Sequence, residues 1–307
     1  MLLAVDAETL RQLTVDGVFK GCSYGLLGAG FAMILGVTGR FHFAYGFTYT
    51  LAAYLAFTFT FRVDWPFWPA AIIGVLLTST LGAGIERVVY RPLANNAGAT
   101  ALLAVFVAAL GLGIAGDNLI RLFWGASSQN YYGPAKKAYH VWNTVFINFD
   151  VWQASSGLVI VVLLTLMLKY TALGRRIKAT RVNPDLARII GIDSGKTYVI
   201  VFFLGTFCCG VSAIWYGLKF TVDPGMGTSP VIYAFVVAFL AGTASSPLRV
   251  FFMGIVVALI EYYSSIWLST QWTQTAVFVV LVGYLAVLAY RASALSARFR
   301  RPKLARG

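Results

Sequence analysis

Apolar runs about as long as a membrane crossing recur along the whole chain, separated by short polar breaks. Nine stand out: residues 17–38, 44–61, 67–85, 99–120, 156–170, 197–218, 230–242, 250–268 and 274–290. A helix needs roughly 20 mostly apolar residues to cross the hydrocarbon layer. The runs at 44–61, 156–170 and 230–242 fall short of that and read as half-spans or re-entrant helices. The pattern predicts an all-α polytopic membrane protein with about 8–10 transmembrane helices, forming one domain over residues 1–307. The longest polar stretch, about 121–155, is too short to be a separate soluble domain.

One break is unlike the others. TALGRRIKATRVNPDLARIIGIDSGK, residues 171–196, carries six Lys/Arg and two Asp between strongly apolar flanks. Within it Asn183 has the position of a helix cap, Pro184 of the first helical residue and Asp185 of the first turn. Leu186, Ile189 and Ile190 fall on one face, and Gly191 ends the helix. A short amphipathic helix at a membrane surface can lie in the headgroups or dock into a groove on a soluble partner; a solvated basic loop drawn to anionic lipid is a third reading.

Composition fits the pattern. The chain is 59% hydrophobic and 11% charged, against about a quarter charged in soluble domains, and its mean hydropathy is +0.77. The net charge of +13 would suit nucleic acid, but its distribution argues against that partner. Half of the 24 Lys/Arg lie in residues 171–196 and in the tail 291–307. Basic segments stay cytoplasmic, and ERVVYRPLANN, read as a loop with Arg87 and Arg91, joins them. The opening segment, with Asp6, Glu8 and Asp16 against Arg11 and Lys20, is slightly acidic. Nine crossings then put the N-terminus outside and the C-terminus inside. Trp65, Trp68, Trp124, Tyr131, Tyr132, Trp142 and Trp152 read as external interface anchors. The start MLLAVDAETLRQL lacks a basic n-region and cleavage site, so insertion is expected to use the first span.

Enzyme-like motifs fail on context. GLGIAG at 111–116 has the letters of a dinucleotide fingerprint, but lies in an apolar run of helix length with no acidic residue about twenty positions on; small residues there suit helix packing. GIDSGKT at 191–197 has Ile190 where a phosphate-binding loop needs its first glycine. Cys22, Cys208 and Cys209 fall within spans. His42 and His140 alone cannot make a usual metal site. No nucleophile–base or paired-carboxylate arrangement appears, so no catalytic residues are expected.

The stretch around Gly174, Arg175, Ala179, Asn183, Ala187 and Gly191 resembles the cytoplasmic coupling loop of ATP-binding-cassette importers. The chain as a whole resembles the Liv-type branched-chain amino acid permease family. FHFAYGFTYTLAAYLAF, ERVVYRPL, DPGMGTSPVIYAFVVAFLAG and ALIEYYSSIWLS resemble further family blocks, and the resemblance runs from the first span to the last, over about 290 residues. The resemblance implies a non-catalytic, multi-pass subunit in a bacterial inner membrane, with a periplasmic N-terminus and a cytoplasmic C-terminus. Its implied partners are membrane lipid, a homologous second permease, a periplasmic substrate-binding protein and two cytoplasmic ATPases; the ATPases, not this chain, would bind ATP and Mg. Coupling would rest on Gly174, Arg175, Arg176, Asn183, Asp185, Leu186, Ile190 and Gly191. A self-sufficient secondary transporter is the alternative, and would need inverted repeats and an intramembrane ion site.

Charges inside spans point to function. Glu261, with Ser264 and Ser265 a turn onward, is either a substrate contact or a helix-to-helix hydrogen bond to the partner subunit. Asp117 and Asn118 lie near the outer end of the fourth span. Ser229 as cap and Pro230 as first residue would aim a helix N-terminus at a substrate carboxylate, or would simply start a span. The remaining pathway candidates are His42, Tyr45, Phe47, Tyr49 and Tyr233. The family block usually has Asn, His and Glu at the positions of His42, Tyr45 and Phe47, and often Lys at that of Tyr233; SSPLRV, with Leu248 and Arg249, also departs from it. These departures predict a path less suited to a compact zwitterion, with aromatic or bulkier carboxylates, or amides, open.

Overall fold

The computed structural model describes residues 6–96, 98–130, 134–141 and 143–299, with backbone alone at 99, 270–271, 288–289 and 291–299. In chain order the helices are α1 (Ala7–Thr38), α2 (Tyr45–Phe61), α3 (Phe67–Ile85), α4 (Arg91–Asn96), α5 (Ala101–Trp124), α6 (Asn148–Tyr170), α7 (Ala172–Val182), α8 (Pro184–Ile189), α9 (Ser194–Lys219), α10 (Thr228–Ala241), α11 (Pro247–Ser264) and α12 (Thr270–Phe299). Four short strands, β1 (Gln129–Asn130), β2 (Ala138–Val141), β3 (Thr144–Ile147) and β4 (Thr221–Val222), form two antiparallel pairs, β1–β4 and β2–β3. Each of the nine apolar runs falls on a helix. α1, α3 with its extension to Asn96, α5, α6, α9 and α11 are long and apolar enough to cross a membrane. The chain is an all-α, multi-pass membrane protein.

The bundle has two ends. One carries the strands: Gln12 in α1 bonds Val145 across to β3, and Trp124 at the end of α5 donates to Thr58 near the end of α2. The other carries α7 and α8: Arg181 reaches the carbonyl of Ala244, and Arg91 lies against Gly195 at the start of α9. α1 is the central helix, buried over most of its length. Its largest packing partner is α11. A Cβ on Gly25 or on Gly254 would overlap the backbone of the facing helix. Only small residues let two backbones approach so closely, and in lipid that close packing replaces the hydrophobic drive between helices.

Two helices start inside the bundle rather than at either of its ends. After α1 ends, residues 39–44 turn back into the bundle, where Arg40, His42 and Ala44 are buried. Arg40 pairs with Glu86, and His42 Nδ1 is 3.0 Å from the Tyr90 hydroxyl. The Tyr45 hydroxyl donates to the carbonyls of Leu27 and Gly205, both 3.1 Å away and mid-way along α1 and α9, so α2 starts inside the bundle. From the strand end, residues 220–227 dip inward before α10 starts, and the Gly227 and Gly46 backbones touch. Non-helical backbone at this depth is tolerated because protein, not lipid, surrounds it. The short runs at 44–61 and 230–242 are therefore short helices of 17 and 14 residues.

Three expectations need correction. The run at 156–170 is not short: α6 has 23 residues and begins at Asn148, where the Asp150 carboxylate accepts the Ile147 N–H at 3.1 Å and so closes a polar first turn. ERVVYRPLANN is not a loop. It continues α3 through a π-helical turn (Glu86–Tyr90) into α4. Pro92 has no N–H to donate, and the wide turn before it absorbs the interrupted ladder. Ser229 is not a cap either, because α10 begins at Thr228 with Gly227 before it. Tyr131, Tyr132, Trp142 and the basic side chains of 291–307 lie outside the described residues.

Candidate functional site

A cavity of about 450 Å³ opens among α1, α9, α10 and α11 on the strand side of these two helix starts. The Glu261 carboxylate on its wall gathers three donors. Tyr24 donates to it at 3.0 Å, Tyr233 at 2.8 Å and Lys20 at 3.2 Å. Lys20 and Tyr24 sit one turn apart on α1, the i,i+4 spacing that puts two side chains on one face. The Tyr24 and Tyr233 rings stack with centroids 4.2 Å apart, so α1 and α10 jointly present both hydroxyls to α11. Lys219 and Asp223 also line the cavity, and Lys219 pairs with Asp150 at 2.6 Å.

The volume suits a small molecule. Opposite charges and aromatic faces share one space, so it can hold a solute with an apolar body and a charged or polar head. Among the described residues no three His, Cys, Asp or Glu come close enough to hold a metal ion.

Tyr49, Ser229, Pro230, Tyr233 and Glu261 line this cavity. The other pathway candidates lie elsewhere. His42 and Tyr45 are buried at the break before α2. Phe47 packs its ring over Gly116 of α5. Asp117 is half-buried in α5, with Oδ1 unpartnered, and the exposed Asn118 amide donates back to the Ile114 carbonyl at 2.8 Å. Ser264 donates to the Glu261 backbone carbonyl at 2.7 Å and lines a separate apolar groove beside Trp267.

Lys20, Tyr24, Lys219 and Asp223 were missed by sequence reasoning. For Lys20 a signal existed: it lies inside the first apolar run, where a charge is itself a marker.

At the other end the basic stretch folds as two helices. Thr171 accepts the Gly174 N–H at 3.1 Å and caps α7, with Gly174 seated on the last turn of α6. Arg175 and Arg176 are exposed. Asn183 caps α8 by accepting from the N–H of Asp185 (3.0 Å) and Leu186 (3.1 Å), and Asp185 lies 3.7 Å from Arg188. Ala187 is buried, whereas Leu186, Ile189 and Ile190 are 60%, 79% and 72% exposed. Gly191, at φ +83°, turns the chain in the left-handed region that favours glycine. Asp193 then caps α9, and the Lys196 N–H it accepts holds its carboxyl below the ordinary range. The result is an exposed apolar patch on a cationic platform.

The chain matches the family model described as branched-chain amino acid transport system / permease component over residues 13–289. It is 25% identical over 291 residues to the high-affinity branched-chain amino acid transport system permease protein LivH of Escherichia coli, covering 90% of this chain and 93% of that one. Identity to the corresponding permease protein BraD of Pseudomonas aeruginosa is 28% over 308 residues, covering 94% and 96%. Among solved structures, PsaBC from Streptococcus pneumoniae in complex with Fab aligns over 91% of this chain and 90% of that chain, with 14% identity and a TM-score of 0.47. The family match runs from within α1 into α12, and the chain belongs to the family of branched-chain amino acid transport system permease components.

Proposed function

We propose that this chain is one membrane-spanning half of an ATP-binding-cassette importer in a bacterial inner membrane. In this reading the strand end with its cavity faces the periplasm and receives solute from a binding protein. The α7–α8 end faces the cytoplasm, where two ATPases supply the energy and hold ATP and Mg. A second permease subunit completes the path. The chain itself hydrolyses nothing.

The observation that carries this reading is α8. Its capped start, glycine stop and three exposed apolar side chains make an anchor suited to a groove on a soluble protein. Arg175 and Arg176 would hold the preceding helix at the membrane edge. The cavity supports a small solute with an apolar body and a charged head, of which branched-chain or other hydrophobic amino acids are the first candidates; a related carboxylate or amide fits the same description. Lys20 and Glu261 supply both signs of charge to a cavity in which Tyr233 stands where the family often has Lys.

The short helices α2 and α10, whose starts meet inside the bundle at Gly46 and Gly227, favour a second reading, because helix ends meeting within the protein are also how self-sufficient secondary transporters build their sites. Purification of the tagged chain from its own membranes in mild detergent separates the two. Two ATPases and a second permease should co-elute in fixed proportion. A chain that elutes alone or only with copies of itself argues for the secondary transporter.

A further inference from the structure

The α7–α8 end of the bundle holds a second cleft, of about 260 Å³, between the end of α6, α7 and the turn joining α10 to α11. Its floor is apolar: Ala29, Met33 and Val37 of α1. Its rim is cationic: Lys169, Lys178 and Arg181. Among the described residues none of these three cations pairs with a carboxylate within 4.0 Å. Arg181 is held across the cleft by its 3.0 Å bond to the Ala244 carbonyl. On that far wall Ser246 and Pro247 begin α11, whose N-terminal dipole adds positive potential to the same space. The apolar stretch of α6 ends at Lys169 and Tyr170, the residue types found where a span meets the membrane–water boundary.

An apolar slot that opens onto three cations without carboxylate partners at that boundary matches a molecule with an anionic head and a hydrocarbon tail. We propose that this cleft binds one anionic phospholipid, with its phosphate among Lys169, Lys178 and Arg181 and the first carbons of an acyl chain on the α1 floor. A soluble phosphate would meet the rim but leave the floor uncovered. A zwitterionic lipid brings its own cation and gains less from the rim. The bound lipid would tie α7, and through it α8, to the α10–α11 turn.

The test uses the whole transporter, purified with its partners into nanodiscs of phosphatidylcholine containing increasing phosphatidylglycerol and read by native mass spectrometry. The wild type should retain one phosphatidylglycerol per copy of this chain. Lys178→Gln with Arg181→Gln should weaken retention roughly thirtyfold, about fivefold per charge removed. The charge-conserving pair Lys178→Arg with Arg181→Lys should keep it, which separates lost charge from lost folding. Arg175→Gln with Arg176→Gln removes the same charge from exposed positions outside the cleft and should also keep it. Equal retention by the wild type and the variant carrying Lys178→Gln with Arg181→Gln would overturn the proposal, as would equal loss in the Arg175→Gln, Arg176→Gln control. Displacement of the lipid by millimolar inorganic phosphate would overturn it too, and assign a free-anion site instead.

Discussion

Glu261→Gln takes one negative charge from a carboxylate on which three donors converge. A hydrogen bond to a charged group contributes about 1.5–3 kcal/mol and a neutral one about 0.5–1.5. Each tyrosine bond should therefore weaken by about 1 kcal/mol, about 2 for the pair. The Lys20 side chain is 40% exposed and the Glu261 side chain 11%. Solvent screening of the Lys20 head limits that ion pair to about 1 kcal/mol or less. The substitution should cost about 3 kcal/mol in total, with the tyrosines carrying most of it. Double-mutant cycles resolve the shares. Glu261→Gln crossed with Tyr24→Phe, and separately with Tyr233→Phe, should couple more strongly than Glu261→Gln crossed with Lys20→Met. The assay is SDS-induced unfolding of the purified protein in mixed micelles. A Lys20 coupling larger than either tyrosine coupling would refute the reasoning, because Lys20 would then be the partner that the buried carboxylate depends on.

Other outcomes follow from the same geometry. Leu186→Asp with Ile190→Asp removes anchors expected to contribute about 2 kcal/mol or more each; transport and substrate-stimulated ATP hydrolysis should fall while membrane insertion, measured by fractionation, stays normal. Gly227→Ala places a methyl group against the Gly46 carbonyl and the Thr50 hydroxyl and should destabilise by about 1–3 kcal/mol, read as a lower thermal unfolding midpoint. Phe47→Glu with Tyr233→Lys should be no better in uptake or expression than its two single changes multiplied, since Phe47 faces α5 and Tyr233 faces the cavity. Because Cys22, Cys208 and Cys209 are buried, single cysteines can report orientation: one at Ile189 should react with an impermeant maleimide only from the cytoplasmic side, and one at Tyr139 only from outside.

The helices were legible because hydrophobic length alone specifies a crossing, and the α8 signals were legible because capping is local: Asn183, Pro184 and Gly191 act within a few residues of themselves. The polar start of α6 was not, because Asp150, which closes its first turn, is itself held by Lys219, a residue far along the chain. The cavity was half-legible. Glu261 stands out as a charge in an apolar helix, and the aromatic Tyr233 as a departure from the family pattern. That Tyr24 and Tyr233 stack and aim two hydroxyls at Glu261 depends on how α1, α10 and α11 pack, which no local pattern encodes. Phe47 shows the converse. It belongs to the same departing block as Tyr45, yet its place on the face of α2 points it at Gly116 and away from the cavity.

The central claim is that this chain moves solute only when separate ATPases drive it through α8. The most direct measurement is uptake of radiolabelled leucine into proteoliposomes containing the chain with its co-purified partners and binding protein, with and without ATP enclosed with the ATPases. Accumulation that requires ATP, requires the partners and disappears in the Leu186→Asp, Ile190→Asp variant is the predicted result. Accumulation by the chain alone, driven by a sodium or proton gradient without ATP, would contradict it.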